Sequence, residues 1–168
     1  MILTGRLPTK KTAGRVLGTK RRSVQKNKLA QTIVPTFLHM LNTVKLYHWK
    51  TTSFATHKAT DELYGSLNEK IDHFVEVMLG KKELGGRANL LHVPMMKLDV
   101  YSNNDAFTKQ IERYKDFLLN MSKETNGFNT LLNTDLLAIR DEILADFNKF
   151  LYLLSLGASP GGQGENPP

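Results

Sequence analysis

Residues 53–80 read SFATHKATDELYGSLNEKIDHFVEVMLG, and this stretch decides the fold. Leu63, Leu67, Ile71, Phe74 and Met78 recur at three and four residues, the period of one helix face. Thr52 or Ser53 offers an N-cap oxygen and Gly80 a stop, so the spacing predicts a helix over 53–79. On a wheel with His57 at zero, the apolar set falls between about 240° and 320°. His57, Asp61, Asp72 and Glu76 fall near roughly 0°, 40°, 60° and 100°. They form one polar stripe beside the core face.

Three more helical patterns flank this one. The first covers 26–49, with Ile33, Phe37, Met40, Leu41, Val44 and Tyr47 in period, and Pro35 predicts a kink or a late start there. Another covers 105–123, capped by Asn103 or Asn104, with Phe107, Ile111, Tyr114, Leu118 and Met121 on one face. The last covers 134–156, with Thr134 as a cap and Gly157 as a stop; Leu136, Leu137, Ile143, Leu144, Phe147, Leu151 and Leu154 are its apolar set. The Tyr and Phe positions of these two helices are expected in the core. Long helices joined by short turns predict an all-α, four-helix bundle. Residues 81–103 form the one long connection, a crossover between the second and third helices, with a short helix expected near Arg87–Leu91.

The chain of 168 residues suits one domain: a basic arm over 1–24, the bundle over 25–157 and a Gly/Pro-rich tail over 158–168. Residues 1–30 carry nine Lys and Arg and no acid; the remaining 14 basic residues face all 16 acidic ones. A mildly acidic body thus bears a strongly basic arm, read as flexible, and an electrostatic partner meets the arm first. The absence of cysteine excludes disulfides, cysteine-ligated zinc, iron–sulfur clusters and a thiol nucleophile. No long apolar stretch follows Met1, so no secretory signal is expected, and the greasy run from Phe150 to Leu156 is too short to cross a bilayer. An intracellular location, cytoplasm or nucleoid, is the expectation.

Carboxylates and histidines along a helix face are commonly no more than solvated. If this stripe binds metal, distance restricts how. His57/Asp61 and Asp72/Glu76 are centred fifteen residues apart, about 22 Å along the axis. Ligands must sit within about 2.0–2.3 Å of an ion, so one ion cannot use both pairs of one chain. A second copy, packed antiparallel about a twofold near Gly65 and Ser66, would set His57/Asp61 against the partner's complementary carboxylate pair and create two equivalent sites. Histidine with several carboxylates and no sulfur suits iron, and zinc or manganese less selectively.

Taken together, Val44-Lys45-Leu46-Tyr47-His48-Trp49, Phe54-Ala55-Thr56-His57, Asp61-Glu62-Leu63-Tyr64, Ile71-Asp72 with Glu76, and Leu79-Gly80 resemble Dps, the DNA-binding mini-ferritins of starved cells. The likeness continues more weakly through Thr134-Asp135-Leu136-Leu137 and Tyr152-Leu153-Leu154, covering about 30–156. It implies a ferritin-like four-helix bundle in a hollow dodecamer that binds iron between twofold-related subunits and oxidises it, favouring hydrogen peroxide. By motif position it assigns His48, His57 and Asp61 to one subunit and Asp72 and Glu76 to its partner, with Trp49 beside the site. Two departures stand out: eight residues separate His48 from His57 where the family usually has eleven, and Val77 follows Glu76 where it often has Arg. The reach of His48 is therefore the point on which the site turns.

Arg6, Lys10, Lys11, Arg15, Lys20, Arg21, Arg22, Lys26 and Lys28 resemble the family's DNA-binding tail. Nonspecific DNA binding, docking onto capsid or other assembly proteins, and a merely solvated tail are the three readings of the arm. Ferritin-like chains also occur in large DNA viruses. The alternative function is accordingly structural: a minor capsid or virion component that uses the bundle as a scaffold. His39 is expected to be structural or exposed, His73 a surface residue, and His92 without a role.

Overall fold

A computed structural model describes residues 17–123, 128 and 131–156, with side chains from residue 29 onward. Its elements are α1 (Leu17–Lys50), α2 (Phe54–Gly80), α3 (Arg87–Leu90), α4 (Asn104–Asn120) and α5 (Thr134–Leu156), with 3-10 turns at Lys82–Leu84 and Leu131–Asn133. Among the described residues there is no strand. The chain is all-helical, and the four long helices fall close to the spans read from periodicity.

Helix α1 departs most. It begins at Leu17 instead of near residue 26, so residues 17–24, expected in a flexible arm, are helical. Lys20, Arg21, Arg22, Gln25 and Lys26 are good helix formers, which outweighs the lack of an apolar period. Pro35 lies inside the helix and does not delay its start. The carbonyl it leaves unbonded belongs to Gln31, which is exposed and so can be hydrated. Residues 1–16 and 157–168, holding the Gly/Pro tail and Arg6, Lys10, Lys11 and Arg15, lie outside the described residues.

One core joins the long helices. Phe37 of α1 meets Phe74 of α2 edge-on, ring centroids 5.0 Å apart, and Phe128 lies nearly parallel to Phe74 at 6.5 Å. Tyr47 stacks on Phe107 at 3.9 Å, joining α1 to α4. Between α2 and α5, Asp146 accepts from Ser66 at 2.6 Å and from Lys70 at 2.7 Å, and Glu62 pairs with Lys149. Buried Arg140 of α5 donates to the Leu118 carbonyl at 2.9 Å and to Ser122 Oγ at 2.6 Å, fastening the C-terminal turn of α4.

The caps are mostly those expected. Ser53 Oγ accepts from the Thr56 amide, and Asn103 Oδ1 from the Ala106 amide. Thr134 is not an acceptor cap: its hydroxyl donates to the Leu131 carbonyl. Tyr152, expected in the core, is 63% exposed. It sits two residues from both Phe150 and Leu154, which are buried, and two residues turn a helix by about 200°. The long connection does cross the molecule. It leaves α2 at the end distant from His57 and delivers Asn104 to Tyr47, whose hydroxyl donates to Asn104 Oδ1 at 2.5 Å.

His39 is structural. Its Nδ1 lies 2.7 Å from the Tyr114 hydroxyl. Burial pushes the Tyr114 phenol up from 10.0 to about 12. An unfolded tyrosine releases its proton near pH 10, while the folded one holds it, so this contribution is complete below pH 10 and is lost as pH rises through about 12. The shift corresponds to on the order of 2–3 kcal/mol. Urea unfolding of Tyr114→Phe should therefore show a decline above pH 10 that is shallower than wild type by about 2 kcal/mol. Identical alkaline declines would show that Tyr114 is not the group responsible.

Candidate metal centre

The turn between α1 and α2 is short and internally bonded. The Thr51 amide donates to the Tyr47 carbonyl at 3.0 Å, the Ser53 amide to Thr51 Oγ1 at 3.3 Å, and the His57 amide to the Ser53 carbonyl at 2.8 Å. This turn brings His48, in the last turn of α1, against His57, in the first turns of α2. Their rings stack with centroids 3.9 Å apart and planes 26° from parallel. The eight-residue spacing thus places the two imidazoles together.

Their hydrogen bonds are reciprocal. His48 Nδ1 lies 3.1 Å from the His57 carbonyl, and His57 Nδ1 lies 3.1 Å from the His48 carbonyl. A carbonyl only accepts, so each neutral ring carries its proton on Nδ1 and keeps the Nε2 lone pair. His48 Nδ1 also approaches Thr60 Oγ1 at 3.3 Å, and the Thr60 hydroxyl itself donates to the carbonyls of Thr56 and His57. His48 is buried and His57 half-buried. Exposed Asp61 completes the group, its Oδ1 3.8 Å from His48 Nε2.

The polar stripe lies where the wheel puts it. Leu63, Leu67, Ile71, Phe74 and Met78 are buried, while Asp61, Asp72 and Glu76 are exposed. Asp72 and Glu76 make no hydrogen bond or ion pair among the described residues. One chain therefore gathers His48, His57 and Asp61 but leaves Asp72 and Glu76 far along α2. Among the described residues no three His, Asp or Glu side chains are close enough in one chain to hold an ion. Gly65, midway between the two groups, is exposed, and a Cβ added there would meet nothing within 4 Å. Packing within the chain does not require its smallness.

Trp49 is 67% exposed beside this group, and Lys45 Nζ lies 5.7 Å from its ring centroid and 4.5 Å from that of Tyr64. Sequence reasoning missed Lys45 and Thr60. Thr60 was detectable, because Thr56 and Thr60 place two hydroxyls one turn apart on an otherwise apolar face. His73 is exposed, as expected, and His92 is exposed in the long connection. Lys20, Arg21, Arg22, Lys26 and Lys28 lie on α1 ahead of the first described side chain.

No curated protein and no solved structure matches the chain. Residues 48–154 match a family of unknown function, DUF5856. The matched span opens on His48 itself and contains His57, Asp61, Asp72 and Glu76, so every candidate ligand lies within it. Because that span covers more than half of the sequence, the chain belongs to the DUF5856 family.

Proposed function

We propose that the chain is a ferritin-like, Dps-like four-helix bundle that binds Fe(II) where two copies meet along α2 and oxidises it there. The reciprocal histidine clasp carries this reading. Imidazoles that ligate metals characteristically donate their other N–H to a carbonyl or carboxylate, which fixes tautomer and orientation. Here both rings do so to each other's backbone, which leaves each Nε2 lone pair to a cation, that of His48 lying beside Asp61. Asp72 and Glu76 are unpaired among the described residues, exposed and on the same face, as ligands offered to a partner would be. The carboxylates hold the hard cation and the imidazoles adjust its affinity. With peroxide as oxidant, two Fe(II) each lose one electron, the O–O bond is cleaved, and two protons are taken up to give two waters. The basic residues up to Lys28 add nonspecific DNA contacts in the same reading.

The second reading, a scaffold within a virion or other large assembly, draws on one end of the molecule. There Trp49, Phe54, Tyr152 and Leu156 are all more than half exposed. Anaerobic Fe(II) titration by calorimetry separates the two. Wild type should bind one or two irons per chain, and Asp72→Ala should lose that binding with its unfolding midpoint unchanged, because Asp72 makes no hydrogen bond or ion pair among the described residues. A wild type that takes up no Fe(II) would refute the iron reading and leave the scaffold.

A further inference from the structure

The connection from α3 to α4 is unusual for its exposed apolar content. Leu91, Val93, Met95, Leu98 and Val100 are all exposed, Met95 completely. Residues 92–102 carry no helix or strand, and none of their backbone groups bonds to another described residue. A stretch of apolar side chains with free amides and carbonyls is a template for strand pairing.

We infer that this segment pairs antiparallel with the same segment of a second copy, about a twofold at Leu98. The sequence Met95-Met96-Lys97-Leu98-Asp99-Val100-Tyr101 is self-complementary in that register. Leu98 faces Leu98 of the second copy, each Met96 a Val100 and each Met95 a Tyr101; Lys97 and Asp99, an exposed ion pair 3.8 Å apart within one chain, exchange partners so that each Lys97 faces the other copy's Asp99. Side chains alternate between faces, so the charged pairs share one face and the Leu98 pair lies on the other with Met96 and Val100. Pro94, which has no N–H to give a ladder, falls just outside the paired stretch.

A second observation supports the same axis. Pro35, Thr36 and His39 of α1 line a groove with Met96 and Lys97, while Tyr47 receives Asn104, so Leu98 lies level with about residue 40 of α1. On the other flank of α1, His48 stacks on His57, Lys45 covers Tyr64 and Phe37 meets Phe74, which sets Gly65 level with about residues 40–46. The centre of the connection and the open position at Gly65 thus agree to within about two helical turns. A twofold perpendicular to the helices would have to pass through both at one level. The pairing does not depend on whether the α2 stripe binds iron.

Cysteine scanning of the full chain tests this, because the chain has no cysteine of its own. At a Leu98 twofold, the two copies of residue 98 are direct neighbours. The two copies of residue 100 are about 13 Å apart and those of residue 95 about 20 Å. A disulfide needs Cα atoms within about 7 Å. Under diamide, Leu98→Cys should cross-link at least tenfold faster than Met95→Cys or Val100→Cys, although both of those positions are more exposed. Asp72→Ala in the Leu98→Cys background should not change that rate. Charge reversal supplies a second arm by sedimentation. Lys97→Asp alone should weaken association about tenfold, and adding Asp99→Lys should restore it. Wild type sedimenting as a monomer at about 10 µM would overturn the pairing. Met95→Cys matching or beating Leu98→Cys would overturn it as well. An associated wild type in which Leu98→Cys fails to cross-link would overturn the pairing and leave an α2 contact intact.

Discussion

Phe74→Ala is expected to lower the unfolding free energy by about 3–5 kcal/mol, the largest stability effect of any single truncation considered. Phe74 is completely buried on α2. Its ring meets Phe37 of α1 edge-on and lies near Phe128, so the cavity would open where two helices and the segment before α5 converge. Three elements would have to move together to fill it, which places the cost at the upper part of the usual range. Urea unfolding should show the loss as a lower midpoint with an unchanged slope. His73→Ala, one residue away and exposed, serves as the control and should stay within about 0.5 kcal/mol. A Phe74→Ala protein less than about 1 kcal/mol below wild type would mean that this aromatic cluster is not a cooperative part of the fold.

Phe74 was readable as core from period alone, and so were the buried apolar positions of α2 and α4, though not the buried Thr56, Thr60 and Gln110. Their apolar residues repeat cleanly, and Ser53 and Asn103 cap with side chains that have few other uses. Helix α1 was harder. Its first turns have high propensity but no apolar face, and periodicity detects only the face. Arg140 was not legible as a core residue at all. An arginine at a core position is normally an error, and only the Leu118 carbonyl and the Ser122 hydroxyl at the end of α4 make it useful there. Tyr152 is the opposite case: aromatic character points to the core, but its spacing from Phe150 turns it about 200° around the helix to solvent.

The site divides along the same line. The polar stripe of α2 follows from spacing, because a helix fixes the angles between its residues. The contact between His48 and His57 does not, because a turn can be shortened in many ways. Counting residues leaves the reach of His48 open. In the structure, bonds among Tyr47, Thr51, Ser53 and His57 close the turn tightly enough to stack the rings.

His48→Ala is expected to reduce Fe(II) affinity at least a hundredfold, and Thr60→Val about tenfold, with the order between them as the informative result. Alanine at 48 removes a ligand nitrogen outright. It also withdraws one donor from the His57 carbonyl, but the Thr60 hydroxyl still donates there at 3.0 Å, so the folding cost should stay near about 1–2 kcal/mol. The backbone carbonyl at position 48 remains, so His57 keeps its own Nδ1 bond and its tautomer. Thr60→Val keeps the shape and every candidate ligand. It removes only the oxygen that shares the His48 N–H, so the ring loses part of its orientation, and outer-shell losses of that kind cost about 10–100-fold. If His48 were simply a packed, hydrogen-bonded core residue, both variants would lose stability in proportion to their lost contacts and Fe(II) uptake would not follow the substitutions. Calorimetric affinity measured beside urea unfolding on the same two proteins distinguishes these cases. Affinity falling in the stated order, with stability nearly level, is the outcome that a preset pair of imidazole ligands requires.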